Sequence, residues 1–148
     1  MTAPTVAEEI WFKPVNMEQL RQGMTRAMPG FLDIQIDEVG TDYLCGSMPV
    51  GEKTHQPYGL LHGGASCVLA ETLGSVAASL VVDTERFFVL GQEINANHLR
   101  GVRDGRVHGV ATPDHLGRTS QVWSIHIEDD QGRAVCVSRL TVAVVAQR

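Results

Sequence analysis

One carboxylate, Glu71, stands in the middle of the most apolar stretch of the chain, Ala65 to Val82, and nine residues before it the sequence reads His62-Gly63-Gly64. Taking a carboxylate out of water without a partner costs several kcal/mol and pushes its pKa upward. Glu71 therefore either reaches an exposed edge or an arginine, or is kept in place for chemistry. The glycine pair sharpens the choice. It sits where a helix begins, so the first backbone N–H groups have no intrahelical acceptor and point at whatever fills the mouth of the helix. Two residues without side chains let a carbonyl group come close. Glu71 lies two turns further on, roughly 10 Å along the axis at 1.5 Å per residue, too far to act on a carbonyl held by its own helix. Two such helices running antiparallel across a two-fold axis would bring the Glu71 of one to the glycine end of the other, giving a shared site.

The elements that must position these residues follow from the pattern. Residues 1–14 read as a loose arm. Asn16 with Gln19 resembles a capping pair, and Met17, Leu20, Met24 and Ala27 recur at helical spacing until Pro29-Gly30 stops the run. Leu32, Ile34 and Ile36 alternate, Val39 to Asp42 form a turn, and Tyr43 to Val50 extend again, which predicts a hairpin. Gly51 to Tyr58 suit a loop. In the long helix, Ala65, Val68, Leu69, Thr72, Leu73, Val76, Ala77 and Leu80 form the stripe expected to face a sheet. Cys67, Glu71, Gly74, Ser75 and Ala78 form a small-residue face expected to meet a second copy.

Four further runs have strand character: Phe87 to Arg100, Arg106 to Thr112, Ser120 to Glu128 and Ala134 to Ala146. Arg103-Asp104-Gly105, Pro113-Asp114 and Asp129 to Gly132 separate them as turns. A helix preceding a continuous antiparallel meander, with little other helix to cover it, implies a sheet curled around that helix. The class is α+β. The expected division is residues 1–30 as arm and short helix and 31–148 as the main unit of a single domain.

Composition narrows the function. The chain has 148 residues, 43% of them hydrophobic, and 12 Lys plus Arg against 17 Asp plus Glu give a net charge of −5, which disfavours bulk attraction to nucleic acid. Its length supports a core without disulfides or a structural metal. Cys45, Cys67 and Cys136 are odd in number and widely spaced, with no Cys-x-x-Cys pair. With no signal-peptide pattern at the start, and Glu71 inside the longest apolar stretch, the expectation is a cytoplasmic protein with no membrane span. The six histidines form no metal-binding spacing, and Ser66 and Ser75 lie in no Gly-x-Ser-x-Gly elbow. Neither metal catalysis nor a serine nucleophile is expected, and Cys67 reads as a packed structural thiol.

The run Gln56-Pro57-Tyr58-Gly59-Leu60-Leu61-His62-Gly63-Gly64-Ala65-Ser66, followed by Leu69-Ala70-Glu71-Thr72-Leu73-Gly74-Ser75, resembles the hotdog-fold acyl-CoA thioesterases of the phenylacetate-pathway type. Glu93 to His98, His115-Leu116-Gly117-Arg118 and Gln121-Val122-Trp123 resemble the bacterial branch that includes 1,4-dihydroxy-2-naphthoyl-CoA thioesterase and the enterobactin-pathway proofreading thioesterase. The similarity runs from Phe31 to Val145. It implies a hotdog fold, a long helix wrapped by an antiparallel sheet, paired as homodimers with interfacial sites and often assembled as homotetramers.

It also implies that Glu71 is nucleophile or general base on the thioester carbonyl, with the backbone N–H of Gly64, or of Gly63, polarising the oxygen. Gln56 and His62 match positions that orient the thioester, and Ser75 matches a hydroxyl that helps place water. His62 has a compatible alternative as a helix cap. The substrate implied is an acyl-CoA, aromatic or medium-chain, or an acyl group on a carrier protein. No cofactor is implied, since coenzyme A belongs to the substrate. Arg100, Arg103, Arg106 and Arg118 make a locally basic stretch that suits its phosphates, with Arg100 and Arg118 and the nearby His98 and His115 as candidates. A non-catalytic acyl-CoA-binding module and a dehydratase-like enzyme are the competing classes. The first would fit a chain lacking Glu71 or the glycines, and the second would want a histidine–acid pair that this helix lacks.

Overall fold

The computed structural model describes residues 8–148. The chain runs α1 (Met17–Gly23), α2 (Ala27–Phe31), β1 (Gln35–Val39), β2 (Leu44–Pro49), α3 (Gly63–Val81), β3 (Phe87–His98), β4 (Arg106–Leu116), β5 (Ser120–Asp129) and β6 (Ala134–Ala146). The six strands form one antiparallel sheet in the order β1-β2-β4-β5-β6-β3. It wraps α3, which touches every strand from β2 to β6. This is the hotdog arrangement.

The strands form where alternation is cleanest. Trp123, Ile125 and Ile127 of β5 point inward between exposed or half-exposed neighbours, and Val135, Leu140 and Val142 of β6 continue the same layer. Against them α3 buries Leu69, Leu73, Ala77 and Ala78 completely. A leucine so placed contributes about 1.5–3 kcal/mol through lost water contact. By length and composition α3 could cross a membrane, with a mean hydropathy of 1.5, but seven of its residues are buried in this core.

Four expectations need correction. The last four strands are not a continuous meander: β4, β5 and β6 are, whereas β3 skips β4 and pairs with β6 at the far edge. Local turn signals mark where a strand ends and carry no information on which neighbour it joins. Pro113-Asp114 is not a turn. β4 runs through it to Leu116, and the register slips between Pro113 and His115 because Asp114 is an extra, bulged residue. A bulge suits proline, which has no N–H for the ladder, and the turn falls later, closed by Gly117 N–H to Ser120 O at 2.9 Å.

The first helix ends at Gly23 instead of running to Ala27, where φ is +54°, and Pro29-Gly30 lie inside α2. Pro29 is tolerated because it occupies the first turn, whose N–H groups lack intrahelical acceptors. The arm is not loose throughout. Its first seven residues lie outside the described residues, but Ile10 N–H bonds Thr41 O, Trp11 Nε1–H bonds Gly40 O and Phe12 N–H bonds Leu80 O near the end of α3. Trp11 and Met24 join the main hydrophobic cluster, which ties this segment to the sheet.

Candidate active site

The start of α3 is held by a tightly bonded loop. Leu61 N–H bonds Val102 O at 2.7 Å and His62 N–H bonds Thr54 O at 2.8 Å, while the buried Thr54 hydroxyl bridges Gly51 N–H and Pro49 O. His62, in extended conformation, caps the helix: its Nδ1 accepts the Gly64 N–H at 2.7 Å and its carbonyl accepts from Ala65. The Gly64 N–H is therefore occupied by His62. Among the described residues the Gly63 N–H donates to no acceptor, so it is the open donor of this helix terminus.

Gly63 faces a cleft of about 340 Å³ whose walls include Gln56, Leu60, His98, Leu99 and Arg100. The His98 ring packs on Gly63 so closely that a Cβ there would lie 2.7 Å from Nε2. Gln56 Oε1 accepts the Tyr58 N–H, which leaves the amide nitrogen as the free, donating end of that side chain. Four predicted residues, Gln56, Gly63, His98 and Arg100, thus share one cleft with a backbone donor at its base.

Glu71 is not in that cleft. Its half-buried carboxylate lies against β3 at Gly91, and no cation or hydrogen-bond donor among the described residues pairs with it. The arginine-paired reading is thereby excluded within the protomer. Burial alone pushes the Glu71 carboxyl above the usual carboxylate range. Ser75 follows one turn later, half-buried and about 40° round the helix.

The expected faces of α3 are rotated. Gly74 and Ala78 belong to the sheet side, where a Cβ on Gly74 would meet Leu140 Cδ2 at 2.6 Å. Thr72, assigned to the sheet side by its spacing, is only half-buried, whereas Val68 and Val76, also half-buried, do pack against the core. Apolar spacing alone cannot register a glycine that lies under a leucine.

The remaining candidates are dispersed. His115 and Arg118 are exposed at the far end of β4 and in the β4–β5 turn, where His115 packs on Gly117. Leu116 pairs with Gln121 and, across β5, with the level of Val142, six residues along β6 from the Cys136 that faces His98. That is on the order of 20 Å from the cleft. The basic stretch is also broken up: the Arg106 guanidinium donates to Ser47 Oγ at 3.0 Å, and the Arg103 carbonyl bonds His55. Burial, reinforced by Cys67, raises the Cys136 thiol to about 11, so it stays protonated and unreactive near neutrality. Among the described residues no three His, Cys, Asp or Glu side chains gather as metal ligands. Three contributors escaped the sequence reading, Leu60 and Leu99 in the cleft wall and Gly91 beneath Glu71. A glycine inside a strand run was the available signal for the third.

A family model, the thioesterase superfamily, matches residues 58–136, which take in α3 with the glycine pair and Glu71, strands β3, β4 and β5, and the first residues of β6. The chain belongs to the thioesterase superfamily. Its similarity to single members is far longer. It is 52% identical over 136 residues to the 1,4-dihydroxy-2-naphthoyl-CoA hydrolase of Escherichia coli, covering 92% of this chain and 99% of that one. It is 48% identical over 136 residues to the proofreading thioesterase EntH of Cronobacter turicensis, covering 92% and 98%. The crystal structure of a mutant thioesterase from Pseudomonas aeruginosa superposes with a TM-score of 0.92 at 47% identity, covering 94% of this chain and all of that one. This thioesterase is therefore an enzyme of thioester hydrolysis on a hotdog fold, and the binding-module and dehydratase classes fall away.

Proposed function

We propose that this thioesterase hydrolyses the thioester of an aromatic acyl-CoA, with 1,4-dihydroxy-2-naphthoyl-CoA as the first candidate and medium-chain acyl-CoA or an acyl carrier protein as the alternative. The observation that carries the reading is Glu71: a half-buried carboxylate with no partner among the described residues and a pKa raised by burial. Nothing in the fold of one protomer makes use of it. The aromatic preference rests on the similarity to the 1,4-dihydroxy-2-naphthoyl-CoA hydrolase of Escherichia coli at 52% identity.

The reaction splits a thioester with water into a carboxylic acid and free coenzyme A. Charge builds on the carbonyl oxygen as it is attacked, and the Gly63 N–H, aided by the Gln56 amide, is preorganised to receive it. Gly64 would join them if the His62 ring swung away from its cap. Glu71 either attacks the carbonyl, expelling the coenzyme A thiolate and leaving a mixed anhydride that water then hydrolyses, or takes a proton from the attacking water, with Ser75 placing that water. A carboxyl raised by burial is the stronger base for the second route.

Because Glu71 and the Gly63 end lie two turns apart, the site is completed in a homodimer, with the Glu71 of one subunit facing the cleft of the other; two dimers would form the tetramer. Arg100 and His98 then bind the coenzyme A side of the cleft, and the distant Arg118 and His115 serve the partner's. No cofactor enters the scheme. Residues 31–148 form the catalytic unit and 1–30 its appended arm.

The test is thiol release from benzoyl-, 4-hydroxybenzoyl-, 1,4-dihydroxy-2-naphthoyl- and octanoyl-CoA, with wild type and Glu71→Ala measured together. Turnover in the variant is expected to fall by several orders of magnitude with its assembly state unchanged. Near-normal turnover of the variant would remove Glu71 from the mechanism, and a preference for octanoyl-CoA would replace the aromatic assignment.

A further inference from the structure

The helix is clasped by glycines whose missing side chains make room for particular neighbours. A Cβ on Gly109 would meet Leu73 Cδ1 at 2.6 Å, and one on Gly74 would meet Leu140 Cδ2 at the same distance. Those glycines admit hydrocarbon, and their purpose is packing. Gly91 in β3 differs. A Cβ built there would fall inside the contact radius of Glu71 Oε1 and 3.2 Å from its Cδ, and no other atom outside that carboxylate and its neighbours in sequence comes within the same reach.

A second feature coincides with it. The β3–β6 ladder pairs Gly91 with Val142 and Glu93 with Thr141, so Gln92 is an extra residue and the strand is bulged directly beside the carboxylate. Bulges near active sites bend a strand so as to re-aim what lies against it. Gly91 is exposed and lies on an edge strand, so its lack of a side chain meets no demand of the core.

We infer that Gly91 is a positioning residue for the hydrolytic reaction: its bare backbone, set by the bulge at Gln92, is the seat on which the Glu71 carboxylate rests and from which it is aimed. The inference rests on the reading of Glu71 as the attacking or activating group. Within the protomer, the nearest atoms a methyl group at position 91 meets are those at the far end of one flexible side chain, and sedimentation of Gly91→Ala beside wild type is expected to show the same assembly. Alanine is also at least as favourable as glycine in an extended strand, so the fold has no reason to weaken. A displacement of about 1 Å in a reacting group is enough to lower a rate on the order of a hundredfold.

The experiment compares wild type, Gly91→Ala, Glu71→Ala and the double variant, using whichever thioester of the four-member panel wild type turns over fastest. Gly91→Ala is expected to lower kcat about a hundredfold while KM changes less than about threefold and the melting temperature stays within about 2 °C. In the Glu71→Ala background the same substitution is expected to have no further effect on rate, because the group it displaces is gone. Unchanged kcat in Gly91→Ala, beside an inactive Glu71→Ala, overturns this inference and leaves the function reading intact. An active Glu71→Ala overturns both. Should Gly91→Ala lose stability, recovery in the double variant supports the seat, and failure to recover shows that the backbone itself, not the carboxylate, requires the glycine.

Discussion

The two edges of the sheet are built in opposite ways. At one edge, β1 has five residues, is bulged between Ile36 and Glu38, and is covered by Arg21 of α1, whose Nε and Nη2 donate to the carbonyls of Ile36 and Asp37 at 3.0 Å each. At the other, β3 has twelve residues and exposes Phe88 and Leu90 at 41% and 53%. Proteins normally blunt an edge by shortness, bulges or charge, because a long apolar edge invites pairing with another chain. The β1 edge uses all three devices. The β3 edge has the bulge at Gln92 and a single charged residue, the exposed Glu93, and the bulge lies against Glu71. The contrast fits the proposed homodimer: β1 ends the sheet, and β3 is the open edge that the proposal gives to the second subunit.

That comparison breaks most sharply if the open edge is charged. Leu90→Lys is expected to yield a folded monomer in sedimentation with turnover reduced about a thousandfold or more, since the groups of a shared site would be separated. A monomer with full activity would place the whole site in one chain. The closed edge should respond differently. Arg21→Ala removes two hydrogen bonds to edge carbonyls and is expected to cost about 1–2 kcal/mol, a fall in melting temperature of roughly 2–6 °C, with turnover within twofold of wild type. Loss of activity without loss of stability would mean that the β1 edge also serves the site.

The smallest effect concerns Glu71 as a burden on the fold. Its folded pKa is raised above the unfolded value, so the stability linked to its neutral form is full below the ordinary carboxylate range and is lost as pH rises through the folded pKa. Glu71→Gln stays neutral throughout. It is expected to melt about 1–3 °C above wild type near pH 7, with the gap closing near pH 4. Equal melting at both pH values would mean that the carboxylate is as well solvated in the fold as outside it.

Much of this was readable in residue order. β6 begins and ends where its apolar alternation does, and Asn16, His62 and the glycine pair marked helix starts because capping is a local matter of a few atoms. Gln56, Gly63 and His98 could be nominated from their resemblance to a family and Arg100 from the locally basic stretch, and they converge on one cleft. His115 and Arg118 could be nominated in the same way and do not, because similarity of sequence says nothing of distance within a single chain. Strand order was not readable: β3 and β4 are neighbours along the chain and lie at separate places in the sheet. The rotation of α3 was misread for a related reason, since a glycine such as Gly74 is silent in any apolar pattern until Leu140 is seen above it.

The sequence by itself determined the class of fold, the helix with its buried acid and its bare glycine mouth, and the membership of a hydrolytic family. The first two depend on periodicity, capping and residue type, which act over a few residues, and the family followed from the resemblance of longer runs such as Gln56 to Ser75. Only the tertiary structure decided that β3 lies at an open edge, that Gly63 rather than Gly64 carries the free N–H, and that Glu71 rests unpaired on Gly91. Each of those depends on which groups meet after the sheet has closed around the helix, and packing, not chain order, selects them.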